Sequence, residues 1–421
     1  MDLLPSKFTI DILSRLPITF PAEEGRKKKR INLADDPSNR GTAQRDPHLL
    51  PPEILLEILS RLSITSLIHF KTTSHAGYDL IADPRLPPMF RNRVSDSSPC
   101  LILFDYNFHV PRGPYFVDIE DCSRRVRKID PPQLSKANDL VGSCNGHNVG
   151  SCNGLLCLSL SDGSSESNSL LIYNPFVGDA VRVPPANPFP NKREVFGFGF
   201  HPRTGEFKVV RIVWFALDVE EVEELMVQVF TVGKTEWRTK GAATPQLADV
   251  TGPPEVLVEG SLHWVTFVGM GGDGPIFGII SFDLADEVFE EIPHTPCQRF
   301  VIREYSLSVL NGCLSAAGLV DALHFDIWVM KQYHVKESWV KQFSFDPCSP
   351  GVWPSYSRIF PEFICAMKNG EILLRYDDNS LVSYDPVEKR FKTLQISGLP
   401  NYFQALPFLP SLFSAKATMN L

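Results

Sequence analysis

Apolar side chains recur at helical spacing between residues 50 and 70. Within 50–62, Ile54, Leu55, Ile58, Leu59 and Leu62 follow i, i+1, i+4, i+5, i+8, one stripe of a helix. Pro51 and Pro52 suit its first turn, where no amide donor is needed. Ser63 can cap a second helix carrying Ile64, Leu67, Ile68 and Phe70. So small a pair cannot bury that much Leu and Ile on both faces, and the excess apolar surface calls for a partner. An ordinary helical hairpin packed on the rest of the chain is the alternative this pattern leaves open.

From about residue 98 the pattern changes. Apolar runs become short, β-branched and aromatic, with turn residues between them: LILF at 101–104, FGFGF at 196–200, KVVRIVWF at 208–215, VQVF at 227–230. These predict strands. A weak repeat orders them. One unit reads Gly-x-Leu, then an aromatic–Asn/Asp pair, then an apolar residue before Pro. It appears as Gly154-Leu155-Leu156 with Tyr173-Asn174 and Val183-Pro184, and again as Gly260-Ser261-Leu262 with Phe282-Asp283 and Ile292-Pro293. A third copy has Gly370-Glu371-Ile372, Tyr384-Asp385 and Phe391. A second unit type, ending in Lys-x-x-Trp, lies between them at Lys234–Trp237 and Lys336–Trp339. The two types alternate over roughly 105 residues, so one unit takes about 50, the size of a propeller blade. Residues 98–416 then hold six blades. Five lie between 150 and 396; the sixth is expected to join strands at 98–128 to the C-terminal run at 407–415, which would close the ring and remove its open edges. A two-sheet sandwich array is the alternative.

The first 47 residues differ from both regions. Residues 4–19 match 50–65 at a fixed offset of 46, with nine identities in sixteen. The first copy runs into a polar segment, so it is expected to be a truncated duplicate that packs weakly or frays. Residues 21–47 have too few apolar groups to offset the entropy of ordering and are expected to be a linker. Its cluster Arg26, Lys27, Lys28, Lys29 and Arg30 fits a nuclear import signal, or merely a solvated charge run. A second short duplication, VGSCNG at 141–146 and 149–154, continues into a strand only in its second copy; the first is expected to be an inserted loop.

Composition narrows the function classes. A net charge of −8 argues against general nucleic-acid binding, which needs a basic surface. Nine cysteines without framework spacing predict reduced thiols in an intracellular protein. No apolar run reaches the ~18 residues of a membrane helix. The 35 Pro and 27 Gly fit many turns.

Residues 50–62, then Leu67, Phe70-Lys71 and 80–84, resemble the plant F-box. The resemblance covers about 40 residues. It implies that Leu50, Pro51, Ile54, Leu55, Ile58, Leu59 and Leu62 dock a Skp-type adaptor, with Leu67 and Phe70 in support. Through the adaptor a cullin scaffold would be engaged. One departure stands out: where the family carries Cys-Lys-x-Trp this chain has Ser74-His75-Ala76-Gly77, and Tyr78 is expected to fill part of the missing Trp's space. The β region resembles the plant F-box-associated domain, on 151–157, Tyr173-Asn174-Pro175, FGFGF at 196–200, 260–264, 281–283, 327–330, 336–339 and 369–373. Such proteins resemble receptors that recruit protein substrates for ubiquitination.

The remaining candidates favour plain readings. Cys144, His147, Cys152 and Cys157 lack zinc-site spacing and read as loop or buried thiols rather than a metal site. His263 beside Trp264 reads as packing rather than a general base. FGFGF lacks the third Gly and the following helix of a phosphate loop. The acidic run Asp218, Glu220, Glu221, Glu223 and Glu224 reads as a solvated edge before it reads as a contact for a basic partner. The expectation is therefore a truncated F-box-like helix at 1–20, a linker at 21–47, a three-helix F-box at 48–92 and a six-bladed propeller-like domain at 98–416. The chain is expected to work as a non-catalytic ligase adaptor in the nucleus or cytoplasm. No cofactor or metal is expected; its partners would be the adaptor, a cullin and an unknown protein target. A propeller enzyme, or an F-box scaffold that does not promote degradation, stays open.

Overall fold

The computed structural model describes residues 51–73, 75–81, 83, 85–94, 100–105, 114–119, 125–129, 150–160, 169–189, 192–215, 224–242, 250, 256–271, 274–295, 305–320, 324–346, 361–376 and 379–418. The chain divides into two compact units, Met1–Ser95 and Asp96–Leu421.

The first unit is helical: α1 Pro52–Ser60, α2 Ile64–Thr73, α3 His75–Ile81 and α4 Leu86–Val94. That is four segments where three were expected; only residue 74 separates α2 from α3. Pro52 opens α1, and the Ser63 hydroxyl takes the Ser66 amide at the start of α2. The core is formed by Leu55, Leu56, Leu59, Leu67, Phe70, Leu80, Leu86 and Phe90, all buried.

The second unit is six four-stranded antiparallel sheets. Blade 2 is β4 Gly150–Cys152, β5 Leu155–Leu160, β6 Ser169–Asn174 and β7 Asp179–Arg182. Blade 3 is β8 Lys192–His201, β9 Glu206–Phe215, β10 Glu224–Thr231 and β11 Trp237–Ala242. Blade 4 is β12 Val256–Val258, β13 Ser261–Gly271, β14 Gly274–Asp283 and β15 Phe289–Ile292. Blade 5 is β16 Ser306–Leu310, β17 Cys313–Val320, β18 His324–Met330 and β19 Trp339–Phe345. Blade 6 is β20 Glu362–Ala366, β21 Ile372–Tyr376, β22 Ser380–Asp385 and β23 Arg390–Thr393. Blade 1 joins both ends of the unit in the order β24-β1-β2-β3: β1 Cys100–Asp105 pairs with the last strand, β24 Phe403–Phe408, and carries β2 Tyr115–Val117 and β3 Arg127–Lys128 on its other side. A short helix, α5 Ala415–Thr418, follows.

The inner strands β24, β4, β8, β12 with β13, β16 and β20 adjoin in that order and return to β24, so the ring is closed. Apolar clusters fill the seams between blades: Leu155 with Phe198 between blades 2 and 3, Trp264 with Val229 between 3 and 4, Trp339 with Ile292 between 4 and 5. Phe325 with Tyr384 fills the seam between 5 and 6, and Phe403 with Leu373 that between 6 and 1. The six-bladed expectation holds, with one correction. The closing strand is Phe403–Phe408, and only Pro407 and Phe408 of the expected 407–415 belong to it. Pro410 has no amide donor to continue the ladder; Pro407 is tolerated because β24 is an inner edge, where a missing donor disturbs no pairing. Among the described residues no helix is long and apolar enough to cross a membrane.

Candidate adaptor and target surfaces

In the helical unit the stripe of α1 separates into two rows. Leu55 and Leu59 point inward with Leu56, at 4%, 0% and 2% exposure. Ile54 is 48% exposed, Ile58 and Leu62 are half-buried, and Pro51 and Pro52 are exposed. Positions 54, 58 and 62 form one row, four residues apart. Leu67 and Phe70 are each 1% exposed and belong to the core behind it. Charges flank the outer row: Arg61 pairs with Glu57 at 2.7 Å, and Arg85 with Glu53 at 3.6 Å and Asp83 at 2.8 Å. The Arg85 guanidinium bonded to Asp83 holds that carboxyl below its ordinary range. Tyr78 does not fill the space of a buried Trp. It is 54% exposed with Lys71 Nζ 5.4 Å from its ring centre, while Gly77 is buried. Leu50 and the cluster Arg26, Lys27, Lys28, Lys29 and Arg30 lie outside the described residues, as does the first helix copy at 4–19.

In the β unit the repeat motifs have physical roles. The aromatic–Asn/Asp pair ends the third strand of a blade and builds the next turn. Asn174 Oδ1 accepts the Phe176 and Val177 amides, Asp283 Oδ1 those of Ala285 and Asp286, and Asp385 Oδ1 those of Val387 and Glu388. The Lys-x-x-Trp units bind each blade to the one before: Trp237 Nε1 donates to the Pro184 carbonyl at 2.8 Å, and Trp339 Nε1 to that of Pro293 at 2.9 Å. The Val-Pro and Ile-Pro signals of one unit are thus the acceptors for the Trp of the next. FGFGF lies in β8, where a Cβ on Gly199 would meet Leu284 Cδ1 at 2.7 Å; glycine lets blade 4 approach.

Charged side chains are held between and within blades. Glu287 receives Lys208 at 2.8 Å, Lys240 at 2.7 Å and Arg238, joining blades 3 and 4. Burial alone would raise the Glu287 carboxyl, but the three cations outweigh it and bring it down to about 2. Arg211 is 1% exposed and donates to Glu194, Gln228 and the Asn187 carbonyl. It forms the floor of a shallow pocket walled by Pro184, Pro188, Phe196 and Trp237. His263 is fully buried, and its Nε2 lies 2.9 Å from the Tyr333 hydroxyl of the next blade; burial pushes the ring down to about 4. At neutral pH it is a neutral, packed side chain. Cys152 and Cys157 are buried, and burial pushes the Cys152 thiol up to about 12 and the Cys157 thiol up as well. Cys144 and His147 lie outside the described residues, as do Asp218, Glu220, Glu221 and Glu223; Glu224 is exposed at the start of β10. Sequence reasoning missed the convergence on Glu287, because its three cations come from strands that meet it only across a seam.

The two ends of the ring differ. The first-to-second and third-to-fourth strand turns share one end, and most are short, as at 153–154, 202–205, 259–260 and 311–312. The second-to-third connections and those between blades leave from the other end. They include the longest, at 129–149, 243–255, 293–305 and 346–361.

A family model described as F-box associated beta propeller domain matches residues 110–414, and one described as F-box domain matches residues 48–88. Three Arabidopsis thaliana proteins are similar over most of the chain. F-box protein At3g07870 is 33% identical, covering 91% of this chain and 96% of its own length. F-box protein CPR1 is 28% identical over 88% of this chain and 90% of its own, and F-box/kelch-repeat protein At3g23880 24% identical over 71% and 80%. The chain belongs to the plant F-box proteins that carry an F-box associated beta propeller domain.

Proposed function

We propose that the chain is the substrate-recognition subunit of a Skp–cullin–F-box ubiquitin ligase, a non-catalytic adaptor that recruits a protein target through its propeller. The observation that carries this reading is the outer row of α1. Ile54 and Ile58 line one side of a helix whose other side is core, with Leu62 just past its C-terminal end, within the segment matched by the F-box model. A Skp-type adaptor would cover that row, starting at Leu50 and Pro51. Leu55, Leu59, Leu67 and Phe70 hold the helix from behind and act through its position. The F-box would span 48–92 and the propeller 98–416, with 1–20 a truncated duplicate and 26–30 a nuclear import signal in a protein of the nucleus or cytoplasm. Targets would be met at the ring end from which the long connections leave, since a rigid ring tolerates varied loops there.

A scaffold that binds partners without promoting their degradation is the second reading. Gly77 in place of the family's Trp, beside an outward Tyr78, favours it. The test is a pull-down of the full chain with a purified Skp-type adaptor, followed by ubiquitination of whatever the propeller captures. Retention of the native chain and its loss in Ile58→Asp supports the ligase reading, because an unpaired charge at an apolar interface is strongly disfavoured. No retention of the native chain would refute adaptor docking, and retention without ubiquitination of captured protein would favour the scaffold.

A further inference from the structure

Five seams of the ring are filled by apolar clusters from neighbouring strands. The seam between blades 1 and 2, where the chain closes on itself, also carries the C-terminal run. Phe176 stands between Phe116 and Phe408 at ring-centre distances of 5.0 and 5.8 Å. The chain then leaves β24 and crosses to the turn end of blade 2. There Asn174 Nδ2 donates to the carbonyls of Ser411 at 3.0 Å and Phe413 at 2.7 Å. The Asp179 carboxylate accepts the amides of Ala415 at 3.1 Å and Lys416 at 3.2 Å, and the Ser414 hydroxyl. Ser411 occupies the space of an absent side chain: a Cβ on Gly154 would lie 2.1 Å from its Oγ. Leu412 and Ala415 are buried, Ala415 in the cluster between blades 2 and 3.

The motif copy used here is the one that can do this. All three copies build their turn with a side-chain oxygen, but only Asn174 also has an amide nitrogen to donate; the others are Asp283 and Asp385. The Asn is superfluous for the turn and necessary for the tail. We infer that residues 409–418 are a clasp that locks the ring at the seam between blades 1 and 2, and that this seam is where the ring opens when the clasp is released. Closing it joins groups 237 residues apart in sequence, so without the clasp the two ends regain freedom there first.

Asn174→Asp separates turn from clasp. The turn oxygen stays, as in the other two copies, while the two donors are replaced by a carboxylate facing carbonyls. Hydrogen exchange of the full chain is the readout. Amides of β24, β1, β4 and β5 are expected to exchange about tenfold faster or more, those of blades 4 and 5 unchanged, and Phe176 and Val177 still protected. The milder Asp179→Asn keeps one acceptor oxygen and loses the other, and should quicken the same seam roughly fivefold, the size of about one lost hydrogen bond. Unchanged seam exchange in both variants, or equal acceleration in all six blades under Asp179→Asn, would overturn the inference.

Discussion

Exposed apolar side chains are arranged differently in the two units. In the helical unit Ile54 is 48% exposed and stands one turn of α1 from the half-buried Ile58, with the half-buried Leu62 just past the helix end. In the β unit Val288, Val335 and Val387 sit singly at turns of three different blades, Val340 stands alone in β19, and two neighbours, Phe267 and Val268, are exposed in β13. Isolated apolar residues on a surface are ordinary and need no partner. An aligned row on a helix whose other face is already core is unfinished burial. One unit packs its blades against one another in a closed ring; the other leaves a partly open row, which the proposed adaptor would cover.

If the β unit is self-sufficient, damage to it should be large and should leave the helical unit's row untouched. Trp264→Ala removes a 1% exposed side chain between blades 3 and 4 and should cost about 3–5 kcal/mol, read by thermal unfolding, with adaptor binding of the folded fraction unchanged. Glu287→Gln strips the charge on which three cations converge and should cost about 3 kcal/mol. Because its carboxyl lies at about 2 against an ordinary 4.5, the native contribution is full above 4.5 and lost as pH falls towards 2; the variant should lack that loss. His263 loses stability in the same direction but at higher pH, and here the neutral form is the native one. Its neutral ring is the folded form, so the unfolded chain binds the extra proton. Stability is full above 6.5 and declines by up to about 1.4 kcal/mol per unit as pH falls towards 4, a slope that His263→Gln should flatten. The smallest effect is Trp237→Phe, which keeps the ring but loses the bond to Pro184 and should cost about 1 kcal/mol.

Much of this architecture was legible in the sequence because the repeat marks structure at fixed places. Aromatic–Asn/Asp pairs are turns, and the Pro and Trp signals are two ends of one hydrogen bond between blades, so alternating units gave the blade count. The C-terminal run was legible only in part. Its apolar residues read as a strand, yet Pro410 ends the ladder and Ser411 to Lys416 are claimed by Asn174 and Asp179, partners more than 230 residues away. The α1 stripe was legible as a stripe but not as two rows. Positions 54 and 55 are equally apolar, and which one faces inward is decided by tertiary packing, including that of α4 Leu86–Val94 against α1. Tyr78 was misjudged for the same reason: volume was available in the count of residues, not on the side of α3 where Tyr78 sits.

The central claim is that the helical unit is finished by a partner while the propeller is already whole. Hydrogen exchange of the full chain with and without a Skp-type adaptor tests it most directly. The account predicts added protection confined to α1 and its flanks, around Ile54, Ile58 and Leu62, with every blade unchanged. Protection appearing on the blades while α1 exchanges as before would contradict it.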